Sequence, residues 1–215
     1  MPSDDWFRRK SWTEEDRADF TARLRRSRGA FHKAQYSRIQ AYELQTVGTK
    51  ENLLGAIELL DTILAEWKSE AQLAAVHHQY AQCLVLLGHR DRAIDHFREV
   101  FATQRVQRGH ITSAELDFGW LAITIPMPSL YDEVLGVLDE FRSGVFASEI
   151  YRDAAIRAII HHSRGEHRPA RDFAQLALNS AAVTKSQLPR HPGVGLVNSP
   201  DPDVHAQLQS IVAGP

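Results

Sequence analysis

At 215 residues, 43% of them hydrophobic, the chain is long enough to bury one sizeable core or one short helical array. A formal net charge of −2 and a pI near 6.6 exclude a chain-wide polyanion binder, so any basic surface must be local. A single cysteine, Cys83, cannot make an internal disulfide, and neither a signal-peptide core nor a run of ~20 apolar residues occurs, which points to a cytoplasmic chain with no membrane partner. Arginine supplies 20 of the 25 basic residues, a usage suggesting a GC-rich bacterial coding sequence.

Helical signals run the length of the chain, with no alternating strand pattern. Thr13-Glu-Glu-Asp16 predicts a helix start, a hydroxyl cap followed by acids that meet the positive end of the dipole. This helix is expected to reach about Arg28 and end at Gly29. A second is expected over about Phe31 to Thr46, ending at Gly48. Thr49 then caps a third whose Leu53, Leu54, Ile57, Leu60, Ile63 and Leu64 form one apolar stripe. Ser69-Glu-Ala-Gln72 has the capping-box pattern and opens a helix through Leu73, Val76, Tyr80, Leu84 and Leu87 to Gly88. Its partner starts near Asp91 and carries Ala93, Ile94, Phe97, Val100 and Phe101 on one side. Thr112-Ser-Ala-Glu115 is a further capping box, and Pro126 and Pro128 stop the helix it opens. Ser129 and Ser148 are read as caps of the next two helices, the second ending at Gly165. Pro169 sits in the first turn of a long helix ending near Ala182. From Val183 the chain turns rich in Pro and Gly. An extended tail folding back on the last hairpin is expected there, with one short helix over Val204 to Val212.

Connections this short make neighbouring helices antiparallel, so the expected fold is all-α: about nine to ten helices in a right-handed array of antiparallel hairpins, followed by an extended C-terminal tail. Three regions are expected: residues 1–30 as an N-terminal capping helix with a basic stretch, 31–182 as four hairpins, and 183–215 as the tail.

The segment AAVHHQYAQCLVLLGHRDRAIDHFREV resembles a tetratricopeptide repeat, with Ala81, Gly88, Ala93 and Phe97 at the family's small, turn and bulky places. YRDAAIRAIIHHSRGEHRPARDFAQLAL repeats the pattern through Ala158, Gly165, Ala170, Ala174 and Ala177. Small residues are wanted because two helices that pack at about 8 Å need small contact side chains. Ala41, Gly48, Ala56 and Leu60 fit with a turn three residues longer, and Gly119 heads a third unit whose second helix, with Val134 and Val137, departs from the pattern. Ala41, Ala81, Gly119 and Ala158 are spaced by 40, 38 and 39 residues, longer than the roughly 34 of the family. The resemblance implies a TPR-like α-solenoid that holds another protein or peptide.

It also implies where. In such arrays the first helix of each hairpin lines a concave surface, which here carries Gln35, Arg38, Tyr42, Gln45, His78, Gln82, Trp120, Arg152 and His162. Amide, guanidinium and aromatic groups suit a peptide, whose backbone amides and carboxylates need polar partners. The competing reading of the same residues is ordinary surface and inter-helix packing. A rival site is the run Arg23, Arg25, Arg26, Arg28 and Lys33 with Arg38, free of acids and interleaved with Phe31 and Tyr36, which suits nucleic-acid phosphates. Against it stands a solvated face whose charges pair with the acids of Glu14 to Asp19. An exposed apolar edge of the array is also compatible with self-association into a homo-oligomer.

No enzyme is expected. The adjacent pairs His77-His78 and His161-His162 point about 100° apart on a helix and do not converge on one metal ion; only His162 and His167, across the turn at Gly165, escape that constraint. Cys83 lies in an apolar helix, where a thiol is inert. No nucleophile elbow, P-loop or dinucleotide fingerprint occurs, and no cofactor is implied.

Overall fold

The computed structural model describes residues 5–67, 69–107, 109, 111–141, 144–188 and 190–214. The first four residues of the expected N-terminal cap, five positions of the expected array and two of the tail thus lie outside the described residues. Among those described there are ten α-helices and no strand, packed as consecutive hairpins. They fall into two compact units, residues up to Ala114 and residues from Glu115 on.

The first unit holds α1 (Glu14–Leu24), α2 (Gly29–Val47), α3 (Lys50–Glu66), α4 (Glu70–Leu86) and α5 (Arg90–Val106). The Thr13 hydroxyl accepts from the Asp16 amide at 3.2 Å while the Asp16 carboxylate accepts from the Thr13 amide at 3.0 Å, a reciprocal cap for α1. Thr49 caps α3 through the Asn52 amide. α2 packs on α3, α4 on α5, and α2 also meets α4. The core is where the small residues put it: Ala34, Ala41, Ala56, Ala81 and Ala93 are fully buried beside Leu44, Leu60, Leu84, Phe97 and Phe101.

The second unit holds most of α6 (Ala114–Thr124), a single 3-10 turn at Pro128–Leu130, α7 (Tyr131–Glu140), α8 (Ala147–Ser163), α9 (His167–Ala181) and α10 (Pro202–Ala213). Gly119 lies so close to its neighbours that a Cβ there would sit 2.8 Å from Ile156 and 3.1 Å from Val134, which is why the small residue of this hairpin is glycine. α10 covers α8 and α9 with Val204, Leu208 and Ile211, and Asp201 caps it through the amides of Asp203 and Val204. The tail meets the start of α8 and the segment before it: the Gly195 carbonyl accepts from the Ser148 amide, and the Gln187 side chain donates to the Val145 carbonyl.

Several local expectations change. α1 stops at Leu24, and Gly29, at φ 76°, begins α2, so the expected boundary between residues 30 and 31 falls inside a helix. In α3 the apolar stripe rotates slightly: Leu54 is half exposed and Leu59 is buried instead. Ser69 precedes α4 without a side-chain cap: the Gln72 amide that its hydroxyl would take donates to the Ser69 carbonyl at 2.8 Å, and the Gln72 side chain accepts from Arg38 on α2. Ser129 lies within the 3-10 turn, and Ser148 lies inside α8, whose entry is held by Glu149 accepting from the amides of Val145 and Phe146. No helix among the described residues is long and apolar enough to cross a membrane.

Candidate functional site

The face of α2 that meets α4 is a ladder of side-chain hydrogen bonds. Arg38 Nε donates to Gln72 Oε1 at 2.9 Å, and Gln79 Nε2 donates to the Arg38 carbonyl at 3.3 Å. One helical turn past Ala41, Gln45 Nε2 donates to Gln82 Oε1 at 3.1 Å, and the Gln82 amide meets His78 Nε2 at 3.3 Å. Burial pushes the Arg38 guanidinium down from its ordinary value, as expected of a cation paired with a neutral amide. Four of the six expected residues in this unit, Arg38, Gln45, His78 and Gln82, are thus joined to one another or to α4. Their hydrogen bonds are made within and between α2 and α4, leaving Gln45 Oε1 buried with no partner among the described residues, and what they offer a ligand is a rigid surface.

The remaining two stand differently. Gln35 is half-buried, and Tyr42, two helical turns on, is 54% exposed. On α4, Leu86, one turn beyond Gln82, is 58% exposed. Leu86 carries no signal in the sequence, because a leucine two residues before a glycine stop reads as core. Gln72 reads in the sequence only as part of a capping box and Gln79 gives no signal, since a buried glutamine shows nothing until its partner on another helix is known.

In the second unit Arg152 plays the part that Arg38 plays in the first. Its Nη2 lies 2.7 Å from Asp117 Oδ1 and donates to the Leu116 carbonyl at 3.2 Å, and its guanidinium sits 5.3 Å from the centre of the Trp120 ring. Trp120 and Arg152 are brought together. His162 is exposed at the end of α8, with the His167 ring 6.3 Å away across the turn, and has no contact with that pair. Among the described residues no group of three His, Cys, Asp or Glu side chains is placed to hold a metal ion. Cys83 is fully buried, and burial pushes its thiol up to about 12.

The rival basic stretch divides in two. Arg23 pairs with Asp19 at 3.0 Å, as the solvated-face reading expects, and Lys33 lies 5.9 Å over the Trp67 ring. Arg25, Arg26 and Arg28 occupy the α1–α2 turn, exposed, with no carboxylate partner among the described residues.

A further feature was invisible in the sequence. The irregular segment from Asp5 to Trp12 lies along α2 and α3, held by side-chain amides: Gln40 Oε1 accepts from the Arg9 amide at 2.9 Å, and Gln40 Nε2 donates to the Arg9 carbonyl at 2.8 Å. Asn52 Nδ2 donates to the Lys10 carbonyl at 2.9 Å, and Trp12 fills the notch left by Gly55, where a Cβ would stand 2.3 Å from its ring. Glu43 takes Lys10 at 2.5 Å and Arg8 at 3.1 Å, and these cations hold its carboxyl below the ordinary range. Burial pushes the Asp16 carboxyl up, but hydrogen bonds from Ser11, Thr13 and Arg9 outweigh it and hold it well below the usual carboxylate value.

No protein-family model matches the chain, and neither a curated protein nor a solved structure is significantly similar to it. Function therefore rests on the geometry of the site.

Proposed function

We propose that the chain is a cytoplasmic, non-enzymatic protein-interaction module of TPR-like build, whose α2–α4 face in the first unit binds a peptide or a helix of another protein. The observation that carries this reading is the pairing on that face of exposed side chains with fixed ones. Tyr42 and Leu86 present apolar surface to solvent beside the ladder of Gln45, Gln82 and His78, whose hydrogen bonds immobilise it before any partner arrives. A preordered polar strip flanked by an aromatic and an aliphatic anchor loses little entropy on binding and suits a partner that supplies apolar side chains. The Trp120–Arg152 pair of the second unit is a second preordered aromatic surface of the same kind.

The test is selection of peptides from a random displayed library on the immobilised chain, followed by titration of the winners against a Tyr42→Ala, Leu86→Ala double variant. Both side chains are exposed, so the fold should survive their loss. Removing two anchors should weaken selected peptides about tenfold or more, a loss of about 1.4 kcal/mol or greater. Peptides that bind the variant as tightly as the parent would place the site elsewhere.

A further inference from the structure

Most cations near the N-terminus are matched by acids. Arg8 and Lys10 meet Glu43, Arg9 meets Asp16 and Asp19, Arg17 meets Glu58, and Arg23 meets Asp19. The α1–α2 turn breaks the pattern, placing Arg25, Arg26 and Arg28 within four residues, all exposed and none paired among the described residues. Like charges this close repel one another, a cost that an approaching polyanion removes.

Beside the turn opens a cleft of about 250 Å³ lined by Trp6, Arg23, Arg26, Ser27 and Tyr36. Its aromatic wall is continuous. The Trp6 and Tyr36 rings lie 5.3 Å apart, Phe7 packs 4.8 Å from Tyr36, and His32 stacks near Tyr36 at 6.4 Å. Phe31, 43% exposed, extends the wall along α2 towards the turn. A second groove of about 340 Å³ has Arg25 and Lys33 in its lining together with Glu58 and Glu66, so it is of mixed charge and the phosphate path is confined to the turn. Guanidinium groups thus border an aromatic cleft and continue past it, an arrangement that offers one surface to flat rings and another to regularly spaced phosphates.

We propose that this cleft binds single-stranded nucleic acid. A base lies against the Trp6–Tyr36 wall, Arg26 and the Ser27 hydroxyl take the adjoining phosphate, and Arg25 and Arg28 take its neighbours. A duplex keeps its base faces stacked and has none to offer the wall, while one phosphorylated side chain would leave two of the three arginines unmatched. The site is distinct from the α2–α4 face, so either reading stands if the other fails.

Fluorescence anisotropy of a labelled ten-nucleotide oligothymidylate or oligouridylate, titrated with the full chain, tests it. Three phosphate contacts on a single strand give a salt slope near −2, so affinity should fall about 20-fold between about 50 and 200 mM salt. An Arg25→Gln, Arg26→Gln, Arg28→Gln variant should lose at least about tenfold in affinity at the lower salt while melting like the parent, since all three side chains are exposed. Tyr36→Leu should weaken binding about fivefold or more and Tyr36→Phe should restore it, because stacking needs the ring alone. Absence of binding at low salt, parental binding by the arginine variant, or indifference to Tyr36→Leu would each overturn the proposal. So would binding of a phosphotyrosine peptide under conditions where the oligonucleotides do not bind.

Discussion

The hairpin α4–α5 and the hairpin α8–α9 turn through the same hydrogen bonds and are locked by different side chains. In the first, the Gly88 amide donates to the Val85 carbonyl and the His89 amide to the Leu84 carbonyl; in the second, Gly165 donates to His162 and Glu166 to His161. Both are Schellman turns with a left-handed glycine, at φ 80° and 73°. Ala81 and Ala158 are fully buried at the same distance before the turn, Ala93 and Ala170 at the same distance after it. The lateral contacts then diverge. The Tyr80 ring stacks 3.9 Å over His96, whose Nδ1 lies 3.0 Å from His77 Nδ1, and the Tyr80 hydroxyl donates to Asp61. In the second hairpin Phe173 stands where His96 does, flanked by His161 at 5.5 Å and by the Arg157 guanidinium at 5.8 Å, which Asp153 and Asp139 hold. Burial pushes Arg157 down, and those two carboxylates more than reverse it. Backbone path is therefore set by glycine and alanine, while the charge of the lock is set by neighbours free to vary.

The strongest way to break the comparison is to fill the close approach that both hairpins share. Ala81→Leu and Ala158→Leu each force three heavy atoms into a site with no exposed surface, and each should cost about 3 kcal/mol, the upper end for overpacking. The shift in urea midpoint at unchanged slope measures it. A cost under about 1 kcal/mol at either position would mean that this alanine is not the point of closest packing.

The same positions explain what could be read from the chain alone. Ala41, Ala81, Gly119 and Ala158 announce hairpins because close approach admits few residue types, so the constraint is written at the position where it acts. Caps are less legible. Thr13 and Thr49 cap as their local pattern says, but at Ser69 the Gln72 side chain goes to Arg38 on another helix, and Ser148 falls inside α8, where its amide donates to the Gly195 carbonyl 47 residues away in the chain. The candidate face was partly legible for the same reason. The expected repeat placed Arg38, Gln45, His78 and Gln82 on the first helices of neighbouring hairpins, but only the fold shows that Gln45, Gln82 and His78 are joined to one another and that Arg38 is held by Gln72 and Gln79. The clasp of Gln40 on Arg9 had no periodic signal, since the segment it holds is irregular.

A subtler difference between the two locks should appear in acid. Burial, His77 and Arg92 together push His96 down to about 4, against the opposing pull of Asp61 and Asp95; burial also lowers His77, against Glu99. An unfolded histidine titrates near 6.5. As pH falls from about 6.5 towards 4, the unfolded chain takes up protons that the folded pair refuses, so stability is intact above that window and declines within it. His96→Phe, which copies the Phe173 lock into the first hairpin, should flatten the decline in urea midpoint between about pH 7.5 and pH 5. An unchanged slope would place the acid sensitivity outside the His77–His96 pair.

The smallest effect gives the sharpest check on equivalence. A Cβ at Gly88 or Gly165 would meet nothing within 4 Å, so alanine at either place changes only the backbone preference. Holding an L-residue at a positive φ costs about 1–2 kcal/mol. Nothing sterically distinguishes the two sites, so Gly88→Ala and Gly165→Ala should lower stability by equal amounts, about 1 kcal/mol each, despite the different locks beside them. Equal midpoint shifts in urea would confirm that the turn is independent of the lock. A loss at Gly88 twice that at Gly165 would show that the Tyr80–His96–His77 stack depends on the exact path of the turn, and the division between backbone and lock would then fail.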